Sequence, residues 1–80
     1  MKILKFFATW CKPCNTVTEM FKEFKEIPIE NIDIDENEDL ITKYNIRSVP
    51  TLILIDEKEN ILYRQVGVPS NLSFLDEYIK

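Results

Sequence analysis

The stretch Trp10-Cys11-Lys12-Pro13-Cys14 holds both cysteines of the 80-residue chain, with a proline directly before the second. The run Ile3-Leu4-Lys5-Phe6-Phe7-Ala8 ahead of it reads as a buried strand. Behind it, Val17, Met20, Phe21 and Phe24 fall at i, i+3, i+4 and i+7, the spacing of one helix face. Two thiols therefore stand where a strand ends and a helix begins. The first turn of a helix offers free backbone N–H groups and the positive end of the dipole. Both favour the thiolate, which is the reactive form, and can bring a cysteine from about 8.5 into a range of roughly 3.5 to 7.5.

Other uses of two cysteines fit the chain less well. A closed zinc site takes four nitrogen or sulfur ligands, and the chain has two Cys and no His. Covalent haem attachment needs a His where Asn15 stands. A Cys-x-x-Cys loop is too short to restrict the unfolded chain much, so a structural staple gains little. Two adjacent buried thiols would not need Trp, Lys and Pro around them at a strand–helix junction. A reversible dithiol–disulfide couple remains, with no metal and no bound cofactor expected.

Length and composition set the frame. Eighty residues, 45% hydrophobic and 30% charged, make one soluble domain spanning residues 1–80 with a thin core. The net charge is −4, with acids and bases interspersed and no basic stripe, so nucleic-acid binding is not expected. No apolar run approaches the length that spans a bilayer. The chain opens on strand-like Met1-Lys2-Ile3-Leu4 rather than on an export signal, which points to the cytosol.

The elements that position the thiols follow from pattern. Residues 2–8 form a strand apolar on both faces, except at Lys5. A helix is expected from Cys11 to Glu26, with Pro13 in its first turn, Lys22 and Glu26 paired on its outer face, and Ile27-Pro28 as its stop. Ile29–Ile34 alternates as a second strand, parallel to the first. The acids of Asp35-Glu36-Asn37-Glu38-Asp39 lack the spacing and the glycine of a calcium loop. They read instead as a helix start, with Asn37 as cap, and Asn45 as the left-handed stop after residues 38–44. Thr51–Ile55 is the most apolar run and should be central. Ile61–Val66 is mixed and should be an edge, joined to it by a polar hairpin turn. Ser70 or Asn71 should cap a last helix carrying Leu72, Leu75 and Ile79. The order is β-α-β-α-β-β-α.

The chain resembles the thioredoxin family at four places in the right order. These are Trp10-Cys11-Lys12-Pro13-Cys14 after a strand, Asn31-Ile32-Asp33-Ile34-Asp35-Glu36-Asn37, Tyr44-Asn45-Ile46-Arg47-Ser48-Val49-Pro50-Thr51, and Val66-Gly67-Val68 before the last helix. The resemblance implies a four-stranded mixed sheet in order 2-1-3-4 with helices on both faces. The first and last helices would share one face, and the short helix would cover the other. The hairpin would run antiparallel to the first two strands, and the bond before Pro50 would be cis. The match begins at the family's second strand, so the chain looks like a minimal, N-terminally short member. It departs from the family at Lys12, where Gly is commonest. It departs again at Lys5, where many members carry a buried Asp, and at Asn31, where a Lys often stands beside that Asp.

The resemblance also implies the chemistry. Cys11, the more exposed thiol, attacks a protein disulfide. Cys14, more buried, resolves the mixed disulfide. Lys12 favours the Cys11 thiolate unless it is merely solvated, and Pro13 stiffens the turn. Trp10, Val49, Pro50, Gly67 and Val68 form the docking surface, with a core position as the other reading of Trp10. Lys5 either lies buried under the helix and serves Cys14, or packs its stem and sends its ammonium to solvent. A thioredoxin reductase is the expected electron donor, and the chain is expected to be monomeric. A glutathione-dependent glutaredoxin would place proline after the first cysteine, not before the second. A disulfide-forming oxidant or isomerase would carry an export signal. A non-catalytic interaction module would not need the dithiol.

Overall fold

The computed structural model describes residues 1–79. Its elements are β1 (Lys2–Phe7), α1 (Lys12–Met20), β2 (Ile29–Asp33), α2 (Glu38–Tyr44), β3 (Thr51–Ile55) and β4 (Ile61–Val66), then a 3₁₀ turn (Ser73–Leu75) and α3 (Asp76–Ile79). The strands form one sheet in the order β2-β1-β3-β4. β1 and β2 are parallel, with Phe6 opposite Ile32, and β3 is antiparallel to β1, with Leu52 opposite Lys5. β4 is antiparallel to β3 and so runs the same way as β1. The expected antiparallel relation of the hairpin to the first strands therefore holds for β3 alone.

Sheet alternation divides the core in two. Ile3, Leu52 and Leu54 point toward Val17, Phe21, Ile27 and Leu75, with Leu72 and Ile79 packed against them. Leu4, Phe6, Ile53 and Ile55 point the other way, toward Ile32, Tyr44 and Ile46, with Leu40 and Ile41 alongside. Covering both faces is what lets all five residues of β3 be buried. Each of its four buried aliphatic side chains, Leu52 to Ile55, contributes about 1.5–3 kcal/mol of hydrophobic free energy.

Three boundaries differ from the sequence reading. Helix α1 ends at Met20, with Phe21 as its C-cap, so Lys22 and Glu26 never share a helix face. Past that point the backbone tightens through Lys22 N–H to Glu19 O and Phe24 N–H to Phe21 O, as Phe21 and Phe24 stack edge-on at 5.2 Å. The chain must return to the sheet at Ile27, and the exposed Lys22, Glu23, Lys25 and Glu26 supply no packing to prolong the helix. At α2, Asn37 occupies the N-cap position, but its side chain makes no cap bond. Its Nδ2 donates instead to Asp33 O at 2.9 Å. Glu38 and Asp39 do stand in the first turn, and Asn45 ends the helix at φ 54°. At the C-terminus, Asn71 Oδ1 accepts the Ser73 N–H, and the helical stretch starts at Ser73 as a 3₁₀ turn with Leu72 as its N-cap, not Ser70 or Asn71. The β3–β4 turn is held by Asp56, whose Oδ1 accepts the N–H groups of Lys58 and Asn60.

Candidate active site

β1 delivers the chain to Ala8, whose carbonyl accepts the Cys11 N–H at 3.1 Å and closes the turn into α1. Cys11 is the N-cap, with extended backbone at φ −93°, and its sulfur accepts the Cys14 N–H at 3.2 Å. Cys11 and Cys14 form a disulfide, with 5.4 Å between their α-carbons. Pro13 lies in the first turn, where its missing N–H leaves no bond unmade. Both sulfur-bearing residues are buried, Cys11 at 5% and Cys14 at 3% exposure. In the closed disulfide the expected difference in access between them is therefore slight. Lys12 and Pro13 are exposed.

The pair sits in a small apolar cluster with Ala8, and Phe7, Ile34 and Val49 pack against it. Val49 enters from the loop before β3, where the Val49–Pro50 bond is cis. The Pro50 carbonyl accepts the Gly67 N–H at 2.9 Å, which ties that loop to the end of β4. Gly67 holds φ +83°, and a methyl group there would meet nothing within 4 Å. Val68 is exposed beside it. Trp10 is 66% exposed and is not a core residue; its Nε1 donates to Asp35 Oδ2 at 3.0 Å. The fold thus brings Val49 against the two cysteines and links Pro50 to Gly67, while Trp10 projects from the start of the same turn.

The Lys5 side chain is buried rather than extended into solvent. It alternates with Ile3 on the α1 face of β1 and is 6% exposed. Its Nζ donates to Thr18 Oγ1 at 2.6 Å, and that hydroxyl donates to the Cys14 carbonyl at 3.1 Å. Burial holds the Lys5 amine below its ordinary value. A cleft of about 260 Å³, lined by Lys5, Phe7, Thr18 and Asn31, opens beside it.

Sequence reasoning missed Thr18 and the role of Asp35. Thr18 carried a readable signal: it lies four residues after Cys14 in a helix, where a threonine hydroxyl can reach the carbonyl one turn back. Asp35 carried none, because its indole partner is 25 residues away. Among the described residues, no group of three or more His, Cys, Asp or Glu is placed to hold a metal ion. No helix among them is long and apolar enough to cross a membrane.

A mixed four-stranded sheet covered on both faces, with a Cys-x-x-Cys disulfide at the start of its first helix and a cis-proline loop against it, defines the thioredoxin-fold class. A family model described as Thioredoxin matches residues 1–80. The chain is 34% identical over 85 residues to a thioredoxin of Buchnera aphidicola, covering 96% of this chain and 78% of that one. It belongs to the thioredoxin family. It is also 44% identical over 55 residues to Thioredoxin-1 of Caenorhabditis elegans. The chain spans about half the length of that protein and of Thioredoxin H5 from rice, 48% and 47% respectively. Among solved structures, a mutant thioredoxin from Halobacterium salinarum superposes with a TM-score of 0.84 at 30% identity, covering 98% of this chain and 74% of that one.

Proposed function

We propose that this chain is a thiol–disulfide oxidoreductase that reduces disulfides in protein substrates. The observation that carries the reading is the Cys11 sulfur at the helix N-cap, within bonding reach of Cys14 and accepting the Cys14 N–H. Opened by reduction, that N–H and the helix dipole would stabilise a Cys11 thiolate. The Cys11 thiolate attacks one sulfur of the substrate disulfide, and the other sulfur leaves as a thiolate. Cys14, deprotonated, then attacks the Cys11 sulfur and expels the second substrate thiolate. Two electrons pass to the substrate, and the Cys11–Cys14 disulfide is regenerated for re-reduction.

The remaining residues support these steps. Lys12 places a positive charge between the cysteines, and Pro13 keeps the turn rigid. Trp10, Val49, Pro50, Gly67 and Val68 receive the substrate, an extended segment adding along the backbone at Val49 as an extra strand. Lys5 is a positioning residue: through Thr18 it fixes the turn of α1 that carries Cys14. A thioredoxin reductase as electron donor, a monomeric state, the cytosol as compartment and chemistry without a bound cofactor complete the proposal.

Reduction of insulin disulfides by the protein, with dithiothreitol or a reductase and NADPH as reductant, tests it. Cys11→Ser should abolish turnover. Cys14→Ser should accumulate a stable mixed disulfide through Cys11. Undiminished turnover by Cys11→Ser would overturn the assignment. For Lys5, an unchanged pH profile of mixed-disulfide release in Lys5→Met would remove the positioning role.

A further inference from the structure

A cleft of about 320 Å³ is lined by Asn45, Arg47, Ser48, Thr51, Arg64 and Val66, from the loop before β3 and from β3 and β4. Two guanidinium groups line it and no carboxylate does. Lys2, Lys43 and the N-terminus are each paired with a glutamate, whereas Lys5, Lys12, Lys22, Lys25 and Lys58 form no ion pair among the described residues and, unlike the two arginines, do not share one cleft. Arg47 is exposed, and neither it nor Arg64 forms an ion pair among the described residues. Arg64 is held in place: its Nη2 donates to the Tyr44 carbonyl at 2.6 Å, just ahead of the left-handed turn at Asn45.

The residues that wall the cleft adjoin the redox site along the chain. Ser48 on its wall precedes Val49, which packs on the cysteines, and the Ser48 carbonyl accepts the Thr51 hydroxyl at 2.8 Å. Val66 on its other wall pairs with Thr51 across the sheet and leads into Gly67. Arg47 and Val49 are two residues apart, so their α-carbons lie within about 7 Å of each other. A strand added along Val49 advances about 3.3 Å per residue. Its side chains two or three positions from the attacked cysteine would therefore reach the cleft. At Trp10, by contrast, the indole N–H is met by a carboxylate, Asp35.

We propose that Arg47 and Arg64 form a carboxylate-binding subsite that selects disulfide substrates carrying an acidic side chain two or three residues from the reacting cysteine. Planar guanidinium groups match a carboxylate in two-point hydrogen bonding. The expectation is distinctive because the chain as a whole carries a net charge of −4 and would otherwise repel such a segment. The inference rests on the disulfide-reductase reading and specifies its substrate class.

The test uses protein reduced with dithiothreitol and freed of it, mixed with peptide disulfides in single turnover. One peptide carries glutamate at the second and third positions on both sides of the cysteine, and its twin carries glutamine there. At low ionic strength the glutamate peptide should react about fivefold faster in second-order rate, as expected of a partly exposed charge pair. The preference should shrink at 0.5 M salt, as screening at about that ionic strength implies. R47Q should reduce the preference, and R47E should invert it, with the glutamine peptide unaffected by either. K58E makes the same charge change as R47E, yet lies in the turn beyond the other end of β3 and should leave the preference intact. Equal rates for the two peptides, or a preference shifted as much by K58E as by R47E, would overturn the subsite and leave the reductase reading standing. Reduction of neither peptide would overturn both.

Discussion

At the scale of single residues, Lys5 is the least expected feature. A lysine on the buried face of β1 has no carboxylate lining the cleft beside it, and its ammonium bonds the Thr18 hydroxyl. Burial therefore penalises its charged form, and that is the sole cause of its lowered value. The unfolded chain, with an ordinary lysine at 10.5, binds more protons across the window between that lowered value and 10.5. Stability should accordingly rise with pH through that window, and below it the penalty is present in full. Lys5→Met should be more stable than the parent at neutral pH, because a charge penalised by burial is replaced by an apolar side chain of similar length. It should also lose the alkaline rise. Urea midpoints from pH 7 to 10.5 measure both effects. A Lys5→Met protein less stable at pH 7 would show that the bond to Thr18 outweighs the cost of burial.

At the scale of elements, the site is a meeting of ends. The end of β1, the start of α1, the loop before β3 and the end of β4 converge, and each contributes backbone geometry as much as side chains. Gly67 shows this most directly. Its φ of +83° is a conformation other residues adopt at a cost of about 1–2 kcal/mol. A methyl group there would project into open space, so Gly67→Ala should lose about that much stability through strain alone, without a clash. The same open space is where substrate backbone would approach. The variant should therefore also raise KM for insulin while leaving the single-turnover rate at saturation little changed. Thermal denaturation and steady-state kinetics on one preparation separate the two effects. An unchanged KM would remove Gly67 from the docking surface.

At the scale of the whole molecule, stability rests on two thin apolar layers. An 80-residue chain has a net stability of about 4–12 kcal/mol. Ile53 is completely buried on the α2 side of the sheet. Ile53→Ala should cost about 2–5 kcal/mol, a large share of that total. Its denaturant midpoint should fall with an unchanged slope, since the same surface is exposed on unfolding. A loss below about 0.5 kcal/mol would mean that the layer collapses around the missing methyl groups.

Much of this architecture was legible before the fold was seen, because it is written in short-range pattern. Apolar runs marked β1 and β3, the first interrupted only by Lys5, alternation marked β2, and the Cys-x-x-Cys at a strand–helix junction marked the redox pair. Resemblance at four spaced segments carried the sheet order and the cis bond at Pro50. Other features depended on partners distant in the chain. The exposure of Trp10 against Asp35, the chain of bonds from Lys5 through Thr18 to Cys14, and the cleft that joins Arg47 to Arg64 all arise from such pairings. So does the early end of α1, set by where Phe21, Phe24 and Ile27 must meet the sheet. Periodicity records which face of an element is apolar. Which polar groups from separate elements are left facing one another is decided only when the elements pack, since hydrogen bonds and charges act over a few ångströms of space rather than along the chain.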